Sequence, residues 1–159
     1  MLPLEIESRR LKLVVETLEE TRSRIALLPE EHQQMISPAW MARLEAAVTA
    51  DPWLVGFNIV RLEDQQAVGQ IGFKGPPDGG RAEIAYAVAE KWRGNGYATE
   101  AARLLAQCAL KHCADVDLIL AHTLPEENAS TAVLSRIGFK KIGTVNDPED
   151  GQVWRWELR

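Results

Sequence analysis

The stretch from Glu83 to Cys113 constrains the fold more than any other part of the chain. Glu83-Ile84-Ala85-Tyr86-Ala87-Val88 is a short apolar run with the character of a strand. Arg93-Gly94-Asn95-Gly96-Tyr97-Ala98 is a glycine turn, and Ala98 to Cys113 is an Ala-rich amphipathic segment. Glu100, Arg103, Gln107 and Lys111 share one helical face. Ala101, Leu104, Leu105, Cys108 and Ala109 line the other, the pattern of a helix laid on a core. Val116 to Thr123 follows as a second strand. Its nearly all-apolar Leu118-Ile119-Leu120-Ala121 predicts a central position. Strand, helix and strand in this order predict a right-handed parallel crossover. The turn also has a chemical consequence. A helix start leaves several backbone N–H groups unpaired and pointing one way, at the positive end of the helix dipole. That is a site for an anion, most often a phosphate.

The rest of the chain supplies strands around this unit. Leu4 to Val15 alternates charged and aliphatic residues, which predicts a strand. Glu16 to Leu28 predicts a helix, with Thr17 or Thr21 as cap and Pro29 as stop. Glu30 to Ile36 is polar and carries no clear period. Ser37-Pro38 is a helix start, with Ser as N-cap and Pro at the first helical position. Met41, Leu44, Ala47 and Val48 continue that helix until Asp51-Pro52. Trp53 to Leu62 and Ala67 to Lys74 predict a hairpin around Glu63-Asp64-Gln65-Gln66. After the loop Gly75-Pro76-Pro77-Asp78-Gly79-Gly80, Arg81 to Val88 completes an antiparallel meander. Asn128 to Ile137 predicts a short helix ending at Gly138. Phe139 to Val145 and Gln152 to Leu158 predict a closing hairpin around Asn146-Asp147-Pro148-Glu149-Asp150-Gly151. With no internal repeat and no linker, residues 1–159 are expected to form one domain.

Composition excludes several classes. At 46% hydrophobic and 26% charged residues, the chain has the aliphatic content of a folded protein, not of a disordered one. Charges interrupt the apolar runs too often for a membrane span. The start, Met1-Leu2-Pro3-Leu4-Glu5, lacks the basic and apolar blocks of a secretory leader. Cys108 and Cys113 have no metal-ligand spacing and read as core residues. These features lead us to expect a cytoplasmic protein. A net charge of -5 argues against a nucleic-acid partner.

The turn is not a common nucleotide loop. A dinucleotide fold would place a third glycine near Thr99 and an acidic residue at a strand end about twenty residues on. A P-loop would continue with Gly-Lys-Ser/Thr. Neither pattern is present.

Arg93-Gly94-Asn95-Gly96-Tyr97-Ala98 instead resembles the Arg/Gln-x-x-Gly-x-Gly/Ala signature of the GNAT N-acetyltransferase superfamily. The strand Glu83 to Val88 and the run Trp92 to Ala101 resemble the branch that contains the ribosomal-protein N-terminal acetyltransferases. So do Glu7-Ser8-Arg9-Arg10-Leu11-Lys12-Leu13, Pro125-Glu126-Glu127-Asn128-Ala129-Ser130 and Ile137-Gly138-Phe139. Only residues 16–50 carry no recognisable match. The resemblance implies an α/β fold: a mixed, mostly antiparallel, twisted sheet with helices on both faces and a central splay. It implies acetyl-CoA as cofactor, no metal, an amine acceptor and a homodimer. Backbone N–H groups across Arg93, Gly94, Asn95, Gly96, Tyr97, Ala98 and Thr99 would hold the pyrophosphate. Tyr86, Ala87 and Val88 would pair with the pantetheine arm, and an N–H near Val88 would face the developing oxyanion.

The resemblance also implies roles for Asn128, as a cofactor contact, and Ser130, which would lie near the thiol and protonate it. The residues themselves show that Asn128 is a good N-cap and that Ser130 shares a helical stripe with Val133, Leu134 and Ile137. No Glu or Gln follows Asn128 at the spacing of a capping box. Two positions depart from the family. Glu127 stands where the Asn is usual, and Leu134 stands where many members carry a Tyr acid. An amine must lose a proton to attack a thioester. Glu83, His122 or an ordered water is the base, and Glu83 heads the strand beside the turn. His32 and His112 read as solvated. Trp154 and Trp156 either pack the core or line an acceptor pocket. Trp40 and Trp53 flank the helix from Pro38 to Ala50, part of the unmatched region, which would set specificity. A non-catalytic acyl-CoA sensor would keep the phosphate turn and lack a competent base.

Overall fold

The computed structural model describes residues 2–148 and 150–159. Met1 lies outside them, as does Glu149 in the expected closing turn. The amino-terminal alternation forms two strands, not one: β1 (Glu5–Glu7) and β2 (Leu11–Val15). Ser8-Arg9-Arg10 reverses the chain, and the Ser8 N–H donates to the Leu11 carbonyl at 2.8 Å. The strands pair antiparallel with Ile6 opposite Leu13. A period of two is blind to such a reversal, because each strand still turns alternate residues to one face.

Four helices follow, each with a local start signal. In α1 (Leu18–Ala26), Thr17 and Glu20 form a reciprocal capping box. The polar stretch after Pro29 becomes a single turn, α2 (Glu30–Gln33). Ser37 caps α3 (Pro38–Ala46), as its sequence predicts. Asp51-Pro52 does more than stop that helix. Asp51 accepts from the Trp53 N–H and opens a further turn, α4 (Pro52–Val55), which Gly56 ends at φ 77°. The strand expected from Trp53 therefore begins later, as β3 (Phe57–Arg61). Trp53 and Leu54 were apolar enough to read as strand. An Asp-Pro cap outweighs that local preference.

β3, β4 (Ala67–Phe73) and β5 (Arg81–Val88) form the expected antiparallel meander. After the glycine turn come α5 (Tyr97–His112) and β6 (Leu118–Thr123). Then α6 (Ala129–Ile137), β7 (Lys140–Asp147) and β8 (Gly151–Leu158) complete the chain. The eight strands lie in the order β1-β2-β3-β4-β5-β6-β8-β7. Among the described residues, only β5 and β6 pair in parallel, as the crossover requires.

Alternation along β5 decides which face does what. Ala82, Ile84 and Val88 are buried and join Ala101, Leu105 and Ala109 of α5 in one core. Leu11, Leu13 and Ile59 from the neighbouring strands belong to the same core. Glu83, Ala85 and Ala87 face the other way, toward a cavity shared with α3. The helices thus cover both faces of the sheet. Cys108 and Cys113 are buried. Among the described residues, no helix is long and apolar enough to cross a membrane.

The β5–β6 pairing is short. It covers Arg81 opposite Leu118, Ala82 opposite Ile119 and Glu83 opposite Leu120. Past Glu83 the strands part. Ile84 to Val88 stays paired with β4 on one edge, and Ala121 to Thr123 stays paired with β8. Among the described residues, no strand fills the gap between them. This is the expected splay.

Candidate active site

The glycine turn lies at the wide end of the splay. Gly94 and Gly96 adopt φ 82° and 78°, values that a Cβ disfavours. Gly96 is the N-cap of α5, and no side chain among the described residues caps that helix. Its first N–H groups are left for a ligand or water. A Cβ on Gly94 would meet nothing within 4 Å. The Thr99 hydroxyl is buried there without a hydrogen-bond partner among the described residues. These features fit the pyrophosphate of coenzyme A: free donors, a positive dipole end, and room for close approach.

The side chains around the turn work inward. Arg93 does not reach out; its Nε donates to the Val88 carbonyl at 3.0 Å and ties the turn to the end of β5. Asn95 folds back, its amide donating to the Trp92 carbonyl at 2.9 Å. Tyr97 is buried in the core. Arg10, from the β1–β2 turn, donates from Nη1 to the Asn95 carbonyl at 2.9 Å and from Nε to Glu100 at 2.7 Å. It also lies over the Tyr97 ring at 4.9 Å. Ser8 donates to Glu100 at 2.6 Å. Burial works to raise the Glu100 carboxyl, but the bonds from Ser8 and Arg10 outweigh it and hold the carboxyl below its ordinary range. Arg10 thereby neutralises the one carboxylate in the first turn of α5.

Farther down the splay, a small cavity of about 120 Å³ brings together residues distant in sequence. Glu83, Tyr86, His122, Ser130 and Leu134 all line it. Ser130 is exposed on its wall, not buried with Val133 and Leu134 as its stripe predicts. The cavity itself interrupts the buried face. Tyr86 reaches from β5 and donates to the Ser130 carbonyl at 3.4 Å. Burial pushes the Tyr86 phenol up to about 12, and the Ser130 contact only partly opposes this, so it stays a proton donor at neutral pH. Asn128 caps α6. Its side chain accepts from the Thr131 N–H at 3.1 Å, and the Thr131 hydroxyl accepts from the Asn128 N–H at 2.9 Å. That reciprocal box uses Thr where the sequence shows no Glu or Gln. It commits the Asn128 oxygen to the helix.

Glu83 is the hub. It sits at the last paired position of β5, where the splay opens. Its Oε2 lies 3.0 Å from Lys74 Nζ and 3.1 Å from His122 Nδ1. The histidine contact is close but off the hydrogen-bond line, so the buried Nδ1 lacks an aligned partner among the described residues. Burial works against the Lys74 charge. Glu83, with Asp150 and Asp147, more than offsets it and holds the ammonium above its ordinary value. Strand alternation puts Arg81 and Glu83 on one side, but Lys74 and His122 take the carboxylate from the flanking strands.

On the front of the sheet a cavity of about 830 Å³ opens from Glu83 toward the amino-terminal helices. Met35, Ile36 and Trp40 come from the segment without motifs, and Ala87 and Gln70 from the sheet. Glu16 is buried in its wall, held by Arg24 at 2.8 Å and Gln70 at 2.8 Å. Lys74, Glu83, Ala85 and Tyr86 line both cavities and mark where they meet. Neither Trp154 nor Trp156 lines either one. Trp156 is buried and donates to Thr123 at 3.0 Å, and Lys141 lies over the Trp154 ring at 3.8 Å. His32 and His112 are exposed, as expected. The sequence reading missed Lys74 and Arg10 as parts of the site.

A family model described as an acetyltransferase (GNAT) domain matches residues 12–140 and runs through the segment without motifs. The uncharacterized N-acetyltransferase p20 of Bacillus licheniformis is 31% identical over 94 residues, 58% of this chain and 52% of that protein. The chain thus spans about half the length of this curated relative. An acetyltransferase of the GNAT family from Bacillus anthracis superposes with a TM-score of 0.71 at 18% identity, covering 97% of each chain. RimL, a ribosomal-protein α-N acetyltransferase solved in complex with coenzyme A, superposes with a TM-score of 0.72 at 14% identity, again over 97% of each chain. At such identities the structural likeness carries the fold.

Proposed function

Because this chain belongs to the GNAT acetyltransferase family, we propose that it is an N-acetyltransferase that moves an acetyl group from acetyl-CoA directly to a primary amine. The observation that carries this reading is the meeting of the two cavities at Glu83. One lies in the splay between β5, β6 and α6, and the other opens on the front face. Acetyl-CoA supplies the activated acyl thioester. The turn from Gly94 to Thr99 offers N–H groups and a dipole to its pyrophosphate. Tyr86, Ala87 and Val88 offer the open edge of β5 to its pantetheine arm. Glu83 accepts the proton that the amine must lose. Ser130 stands on the cavity wall as proton donor to the leaving sulfur. The acceptor is a protein N-terminus or a small-molecule amine, and its ammonium enters a cavity lined by the carboxylates Glu83 and Asp147.

The test combines calorimetric titration with coenzyme A and turnover of acetyl-CoA across a panel of peptide N-termini and small amines. Binding together with transfer to at least one amine supports the proposal. Tight binding with no transfer to any member would replace it with an acyl-CoA sensor.

A further inference from the structure

We infer that Lys74 is itself an acetyl acceptor, so that the chain modifies its own site in competition with external amines. The inference rests on the N-acetyltransferase reading above and extends it to an intramolecular substrate. Lys74 continues β4 just past Phe73, and its N–H donates to the Glu83 carbonyl at 2.8 Å. That register puts the two side chains on the same face. Its Nζ lies 3.0 Å from Glu83 Oε2, in the position an incoming amine must take to give up its proton. Lys74 lines both cavities, at their junction, and it is the one lysine among the described residues that lines either. Its side chain is 53% exposed, free enough to swing about Glu83 toward the splay. A tethered amine also meets the reactive carbon at an effective concentration that no free amine matches.

The step balances without a further reagent. Lys74 begins as an ammonium, and Glu83 Oε2 takes one proton to free the lone pair. Nitrogen forms the bond to the acetyl carbonyl carbon, and the carbon–sulfur bond breaks with its electron pair on sulfur. The nitrogen gives up a second proton, which ends on that sulfur. The products are N-acetyl-lysine at position 74 and free coenzyme A thiol. Acetylation removes the cation that now occupies Glu83 and leaves an amide at the mouth of the acceptor cavity.

The experiment incubates the whole chain with acetyl-CoA and follows each lysine by peptide mass spectrometry. Lys74 should be acetylated at least tenfold faster than the exposed Lys111 and Lys140, with a half-time unchanged by tenfold dilution of the protein. Glu83→Gln should slow labelling of Lys74 at least tenfold and leave Lys111 and Lys140 unaffected. The dilution series on the unaltered chain decides the matter even if that variant fails to fold. Lys74→Arg should bind coenzyme A in calorimetry within twofold of the unaltered chain, separating acceptor from binding role. Labelling of Lys74 no faster than Lys111, or at a rate proportional to protein concentration, overturns the inference. Turnover of an external amine with Lys74 left unmodified overturns it and leaves the N-acetyltransferase reading standing. Failure to bind coenzyme A at all removes that reading instead, and this inference with it.

Discussion

Ser130 owes its place to where α6 begins. The Asn128–Thr131 box starts the helix so that its first turn meets the splay, and Ser130 faces the small cavity with Tyr86 and Glu83. Ser130→Ala should lower turnover about tenfold or more, within the range for proton transfer, and leave coenzyme A affinity unchanged. Steady-state rates with calorimetry separate the two, and unchanged turnover would release Ser130 from the reaction. Glu83, Tyr86 and Ser130, which line one cavity, each sit in a stretch that resembles a known motif. Their neighbours do not. Lys74, Glu83 and His122 stand on three successive strands of the sheet, β4's extension, β5 and β6. What brings them to one carboxylate oxygen is strand register, which no local pattern states. The Asn128 reading shows the converse. Its capping box was overlooked because Thr131 takes the part usual for Glu or Gln.

The glycine turn and α5 act as one element, locked from outside by the β1–β2 turn. Gly96→Asp adds a carboxylate to an anion site and a Cβ at φ 78°, 3.4 Å from Arg10. It should weaken coenzyme A binding at least tenfold by calorimetry, and more than Gly96→Ala, which carries the strain alone. Wild-type affinity in the Asp variant would move the site elsewhere. The Arg10–Glu100 pair has a pH signature. Glu100 is held below its ordinary carboxyl value in the fold. Its contribution to stability is therefore complete above the unfolded value of about 4.3, and it is lost as the pH falls through the lower folded value. Glu100→Gln should flatten the acid limb of a urea-unfolding series between about pH 5 and about pH 3, and an unaltered limb would show that the pair adds nothing. At this scale the helices read well from their caps: Thr17, Ser37 and Gly138 stand where the structure uses them. Strand ends read less well. Ser8-Arg9-Arg10 carries no glycine or proline to announce a turn, and Asp51-Pro52 starts a helix that hydrophobicity alone would call a strand.

For the whole molecule, the sheet order and the covering of both faces follow from the meander, the crossover and the family resemblance. The cavity on the front does not, because α1, α3 and α4 pack around their own small core of Leu44, Leu54 and Val55. How that core sits against the sheet is a matter of shape, and residues 16–50 carry no motif that states it. Met35 is exposed and lines this cavity. Met35→Lys should raise KM for a cationic acceptor severalfold, leave KM for acetyl-CoA unchanged, and shift stability by less than about 0.5 kcal/mol, as expected of a surface change. Equal KM values for the amine would place the acceptor elsewhere. The three-residue parallel pairing at Arg81–Glu83 carries a mechanical meaning as well. It makes the sheet two plates, β1 to β5 and β6 to β8, joined along a short seam. A molecule lying in the slot would serve as a graft between the plates, lending its own amides where a strand is missing. Coenzyme A should then slow deuterium uptake on both lips of the slot together, at Ala85–Val88 and at Ala121–Thr123. The two plates would then exchange as one body.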